Sequence, residues 1–176
     1  MTMVRSLVAL ALFGGIAAGC WYVAQAADAP KVDEKALART RKQVKMLDDL
    51  HKTAVVLITK HYVNENSDLP AGSAAIALFA AMKDKGWYES RLLDVSGEPY
   101  NKKNVPSDDF EKKAAAEIKA GKGYYDEVVS KDGKPYLRAA TAVPVVMQKC
   151  TMCHENYKKF KGNEAIGAIG YLMPIE

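Results

Sequence analysis

The stretch YYDEVVSKDGKPYLRAATAVPVVMQKCTMCH, Tyr124 to His154, decides the fold and points to the chemistry. Two runs rich in β-branched and aromatic residues, Tyr124 to Val129 and Tyr136 to Val143, flank Lys131-Asp132-Gly133-Lys134. Asp-Gly between such runs is a strong hairpin signal, because both residues accept the positive φ of a tight type I′ turn. Two antiparallel strands are therefore expected. From Pro144 to Tyr157 the pattern reads as a loop leading into a short helix. Inside it lies Cys150-Thr151-Met152-Cys153-His154, the one sharp chemical signal in the chain.

Cys-x-x-Cys-His is the attachment pattern of c-type haem. The two thiols form thioethers with the haem vinyl groups, and the two intervening residues match the vinyl separation. The adjacent histidine then lies under the iron as proximal ligand. Three other readings stand beside this one. A five-residue match can arise by chance. A redox Cys-x-x-Cys pair would start a helix after a buried strand in a βαβ unit, whereas these cysteines follow Pro144-Val145-Val146-Met147-Gln148-Lys149 near the C-terminus. A zinc site from Cys150, Cys153, His51 and His61 would satisfy tetrahedral chemistry, although the histidine spacing does not demand it.

The other end of the chain supports the haem reading. Arg5, an apolar run from Leu7 to Ala18 and then Ala24-Gln25-Ala26 have the parts of a secretory signal. Cleavage is expected after Ala26, making residues 1–26 a signal peptide and the product exported and periplasmic. Haem is attached to such motifs outside the cytoplasm, so the two readings agree. Two alternatives keep the chain at a membrane: an uncleaved leader, since Leu7 to Val23 approaches spanning length, or a lipid on Cys20. Gly14, Gly15 and Gly19 argue against the anchor. Ala17, where a lipidation signal carries Leu, argues against the lipid. No later apolar stretch is long enough to span, so no membrane span is expected after cleavage.

Ala27 to Asp33 reads as a short polar tether, and a long helix follows from Glu34 to Val63. Leu47, Leu50, Ala54, Leu57, Ile58 and His61 recur at steps of three and four and share one face, taken as the buried one. The polar cluster Asn64 to Asp68 and then Pro70 end this helix. Ser73 to Lys85 forms a second, alanine-rich helix stopped by Gly86. Trp87 to Asp94 reads as a strand. Ser107 is the expected N-cap of a helix ending at Gly121, and Ala165 to Met173 is a closing strand. Helices first and a small antiparallel sheet after them make an α+β fold.

Composition narrows the function classes. The chain has 176 residues, 49% hydrophobic and 26% charged, which suits one globular domain. Its net charge of +4 is spread along the sequence and is no nucleic-acid footprint. Three cysteines cannot build a disulfide scaffold. No Ser/His/Asp set, phosphate loop or paired carboxylate site is visible.

Beyond the leader, only His51 and His61 remain as further histidines, both on the long helix. His61 extends the apolar face and is the distal ligand candidate. His51, roughly 40° around the helix from Leu47, is the weaker alternative. Methionine is the other ligand type, from Met46, Met82, Met147, Met152 or Met173, and a five-coordinate iron is a further option. Arg138, on a strand face with Tyr136, is a candidate contact for a haem propionate, against its plain reading as a solvated cation.

The chain also resembles a known family. A long N-terminal helix, RLLDVSGEPYN (Arg91 to Asn101), the Asp-Gly hairpin, LRAATAVPVVMQKCTMCH (Leu137 to His154) and EAIGAIGYLMPI (Glu164 to Ile175) are similar to the Tll-like haem domain, first catalogued as domain of unknown function 3365. The resemblance covers residues 34–176. It implies a PAS-like α+β fold with helices packed on a small antiparallel sheet. It also implies one covalent haem c on Cys150 and Cys153, with His154 proximal and the N-terminal helix over the distal side. A cysteine can fill the distal position in this family. Here Cys20, in the leader, is the only spare one, so that ligand is not carried over.

The expected protein is an exported mono-haem c-type cytochrome acting in electron transfer with an unidentified redox partner. The alternatives are an extracytoplasmic sensor of redox state or of a small gaseous ligand and, behind it, a peroxidase-like enzyme. Cys153→Ala should leave haem loosely held or absent on a haem-stained denaturing gel. Covalent haem undiminished in that variant would sink the attachment reading.

Overall fold

The computed structural model describes residues 30–64 and 70–176, without the Cys153 side chain. The expected leader, Cys20, the start of the tether and most of the polar cluster after the first helix lie outside the described residues. The elements run α1 (Glu34–His61), α2 (Ala71–Asp84), β1 (Glu89–Asp94), a 3₁₀ turn (Lys102–Asn104) and α3 (Asp109–Lys119). They continue with β2 (Tyr124–Lys131), β3 (Lys134–Pro144), α4 (Cys150–Cys153), a second 3₁₀ turn (Glu155–Lys159) and β4 (Ala165–Pro174). The four strands form one antiparallel sheet in the order β1-β4-β3-β2. This is the expected α+β class. The β2–β3 turn carries positive φ at Asp132 (53°) and Gly133 (74°), the geometry that Asp-Gly predicts.

Helices cover both faces of the sheet. Leu137, Ala139, Ile169, Tyr171 and Met173 point to one face and pack with Leu37, Val44, Ala75 and Phe79 of α1 and α2. Ala140 and Ala168 point to the other and pack with Leu93, Phe110, Ala114 and Ile118, the α3 side. Strands β3 and β4 are therefore buried on both faces, which is why Ala165 to Met173 is almost wholly apolar. Close packing also explains the small residues of that strand. A Cβ on Gly167 would lie 2.9 Å from the Leu93 carbonyl oxygen of the neighbouring strand.

Three sequence expectations are corrected here. The face of α1 that turns to the sheet carries Ala36, Leu37, Thr40, Val44, Asp48, His51 and Thr59. Leu50 and Leu57 are 61% and 49% exposed, and His61 is exposed. Apolar periodicity places Leu50 and Leu57 on the wrong side because the buried face also carries Asp48 and His51, whose partners lie far along the chain. The N-cap of α3 is Asp108, whose Oδ1 accepts the Glu111 amide at 2.9 Å, one residue after the expected Ser107. Ser107 instead gives its own amide to Glu111 Oε2 at 2.8 Å. Strand β1 begins at Glu89 and leaves Trp87 outside it, 66% exposed.

Gly167→Ala should lower stability by about 1–3 kcal/mol through overpacking against the Leu93 carbonyl. Gly123→Ala, where a Cβ meets open space, should stay within about 0.5 kcal/mol of the parent. Urea titration of both variants checks this. Equal midpoints would remove the packing explanation for that glycine.

Candidate functional site

Residues Cys150 to Cys153 form a single helical turn held by local bonds. Cys150 N–H donates to Met147 O at 3.1 Å, Thr151 N–H to Gln148 O at 3.0 Å and Met152 N–H to Lys149 O at 3.2 Å. One turn puts positions 150 and 153 on the same side of the helix, as two thioether bonds to one ring require. Cys150 is half-buried. His154 leaves the helix at φ −125°, ψ 73°.

The His154 ring is framed by two tyrosines. It stacks on Tyr157 with centroids 4.7 Å apart and planes inclined by 17°. It also meets the edge of Tyr100 at 5.2 Å. Its Nδ1 is buried without a hydrogen-bond partner, and burial lowers the ring's pKa below the ordinary histidine value. The second 3₁₀ turn is tied to the loop after β1, where Asn156 Nδ2 donates to Glu98 O at 3.1 Å and Lys159 pairs with Glu98. On the other side of the motif, Lys149 Nζ donates to Val63 O at 2.8 Å and Lys60 O at 3.1 Å, at the end of α1. The motif is thus pinned between the end of α1 and the β1 loop.

His51 has a different place. It is 2% exposed in the core between α1 and the sheet. Its Nε2 lies 3.0 Å from the Tyr88 hydroxyl and its Nδ1 3.2 Å from the Tyr171 hydroxyl. Tyr171 donates to Asp48 Oδ1 at 3.3 Å, and that oxygen also accepts from Thr141 at 2.5 Å. Donor counting then assigns the proton to Nδ1, with Tyr88 donating to Nε2. Burial lowers the His51 pKa, against the opposing pull of the Asp48 charge. Both ring nitrogens of His51 are thus engaged by tyrosine hydroxyls within the core.

The other named residues fall on several surfaces. His61 is exposed at the last position of α1, one residue beyond the Lys60 carbonyl that holds Lys149. Arg138 lies on the α3 face of the sheet. It pairs with Asp108 at 2.9 Å and Glu111 at 3.7 Å, and its guanidinium sits 4.3 Å from the Phe110 ring centroid. Its charge is matched there by these two carboxylates. Met173 is core, Met46 is 62% exposed, and Met82, Met147 and Met152 are half-buried. Among the described residues no three His, Cys, Asp or Glu side chains form a metal-holding cluster.

Sequence reasoning missed Lys149, Tyr100, Tyr157 and the Tyr88–His51–Tyr171–Asp48 chain. Only Lys149 and Tyr157 carried a hint, through closeness to the motif. Tyr100 meets His154 across 53 intervening positions of sequence, and no local pattern marks it.

A family model described as Tll0287-like matches residues 26–172, nearly the whole described chain. The chain belongs to the Tll0287-like family. The resemblance read from the residues is therefore correct. No curated protein matches the chain. A solved structure, the crystal structure of the cyanobacterial heme-protein Tll0287, aligns at 12% identity with a TM-score of 0.47. The alignment covers 81% of this chain and 97% of that one.

The buried His51 gives stability a pH dependence. The unfolded chain protonates this histidine near its ordinary 6.5, while the folded chain keeps it neutral to lower pH. The unfolded state therefore binds more protons below pH 6.5, and stability falls as pH drops. Urea midpoints at pH 7.5 and pH 5 should differ less for His51→Gln than for the parent. An equal drop in both would show that His51 does not contribute.

Proposed function

We propose that this Tll0287-like protein is an exported mono-haem c-type cytochrome that transfers electrons, with haem covalently held by Cys150 and Cys153 and His154 as proximal ligand. The observation that carries the reading is the motif's state. Two cysteines share one helical turn, and the next residue is an imidazole held between two tyrosine rings with an unpartnered buried Nδ1. This donor set fits haem c, and the crystallised Tll0287 is itself a heme-protein. When bound, haem supplies a one-electron iron couple. The protein's part is to fix the axial side chains and the burial that set its potential.

Each element then has a task. The α4 turn spaces the thiols, while Tyr157 and Tyr100 hold the His154 plane. Lys149 holds the motif against α1, whose last residue is His61, the distal candidate. Signal cleavage after Ala26 delivers the chain to the periplasm. Among the described residues no helix is long and apolar enough to cross a membrane.

The exposure of His61 favours a second reading, a haem-based sensor of redox state or of a small gas. A ligand at a solvent-facing helix end is easier to displace than one locked in the core. A peroxidase-like enzyme would need a free distal acid or base, and His51 is engaged elsewhere.

Visible spectra of the exported protein, oxidised and dithionite-reduced, with and without carbon monoxide, separate these readings. A low-spin spectrum indifferent to carbon monoxide is expected for the carrier, and His61→Ala should turn it high-spin. A carbon monoxide shift in the parent would favour the sensor. No haem absorbance in cells competent for attachment would overturn both.

A further inference from the structure

We infer that Lys149 is a positioning residue for the iron's distal side: it anchors the end of α1, and with it His61, to the haem attachment turn. This inference rests on the haem reading above. It concerns a residue that the attachment motif does not include.

The last carbonyls of a helix have no partners within it and must find donors elsewhere. At the end of α1 the Ile58 oxygen accepts both the Tyr62 and Val63 amides. The Lys60 and Val63 oxygens are reached by one ammonium, that of Lys149, at 3.1 and 2.8 Å. A cation there also complements the negative end of the helix dipole. The bond spans 86 residues of sequence to Val63 and 89 to Lys60, so it fixes tertiary geometry, not a local turn.

The neighbours on each side give this contact its meaning. Lys149 immediately precedes Cys150, the first thioether cysteine of the motif. Lys60 immediately precedes His61. One side chain therefore joins two backbone points, each a single residue from a group that can act on the iron. On the opposite side, Asn156 and Lys159 hold the motif to Glu98, which restrains His154 and does not touch α1. His51, the other histidine of α1, is locked into the tyrosine chain of the core. His61 is thus the histidine that a shift of the α1 end would move relative to the motif.

Lys149→Met keeps the length and loses the ammonium, whereas Lys149→Arg keeps a cationic donor able to reach two carbonyls. The parent must first show covalent haem on a denaturing gel and a low-spin spectrum. Absence of haem there overturns the haem reading itself, before any variant is compared. Covalent haem that is already high-spin and binds carbon monoxide leaves that reading intact and overturns the positioning role.

With a low-spin parent, Lys149→Met should retain covalent haem yet become high-spin and bind carbon monoxide in at least half of the molecules. Lys149→Arg should restore the parental spectrum. In a His61→Ala background, Lys149→Met should change the spectrum no further. Amide exchange at Tyr62 and Val63 should quicken in Lys149→Met, a readout independent of haem. A low-spin Lys149→Met protein that ignores carbon monoxide overturns the inference, as does failure of Lys149→Arg to rescue. Should Lys149→Met fail to accumulate, Lys149→Gln serves the same comparison with the same outcomes.

Discussion

The buried Asp48 carboxylate orients the first helix, and most of the structure follows from that choice. Its Oδ1 takes hydroxyl bonds from Thr141 on β3 and Tyr171 on β4, while its Oδ2 pairs with Lys52 at 2.7 Å. A buried carboxylate without donors would be costly, so α1 is rotated until these groups meet. That rotation carries His51 to the sheet between Tyr88 and Tyr171. It also turns Met46, Leu50 and Leu57 outward. Part of the apolar periodicity of α1 faces solvent because Asp48 and His51, with partners on the sheet, share the core side with Leu37 and Val44.

The same orientation decides what the attachment motif meets. With α1 fixed on β3 and β4, its C-terminal end reaches Lys149. The loop after β1 reaches the other side of the motif through Tyr100 and Glu98. His154 belongs to neither core cluster and is held between the rings of Tyr100 and Tyr157. This chain's own contacts thus reach the motif from two sides, through Lys149 and through Tyr100 and Glu98.

What could be read in the sequence was what local rules control. The Asp132-Gly133 turn, the two strands that flank it and the apolar β4 all depend on near neighbours, and each stands as expected. The buried face of α1 was misread because periodicity counts hydrophobes and cannot see a hydroxyl 93 residues away satisfying Asp48. The Ser107 and Asp108 caps differ by one residue because both can accept helix amides, and only the packing of Glu111 separates them. Arg138 looked free as a strand cation until α3 brought Asp108 and Glu111 across the sheet to it. The motif itself was legible as a local pattern. Its surroundings were not, since Tyr100, Lys60 and Val63 are near it only in space.

Arg91 shows how unevenly the molecule is held together. Its guanidinium binds Glu111 on α3 at 2.6 Å and also the backbone oxygens of Lys103 and Val105. Its guanidinium thus ties strand β1, the following loop and the start of α3 together. The α4 turn has four residues, too few for a helix to persist without its neighbours. Local opening of this turn then costs less than opening the sheet, whose four strands can stay paired while the turn loosens. A site built on such a turn can rearrange without unfolding the domain that carries it.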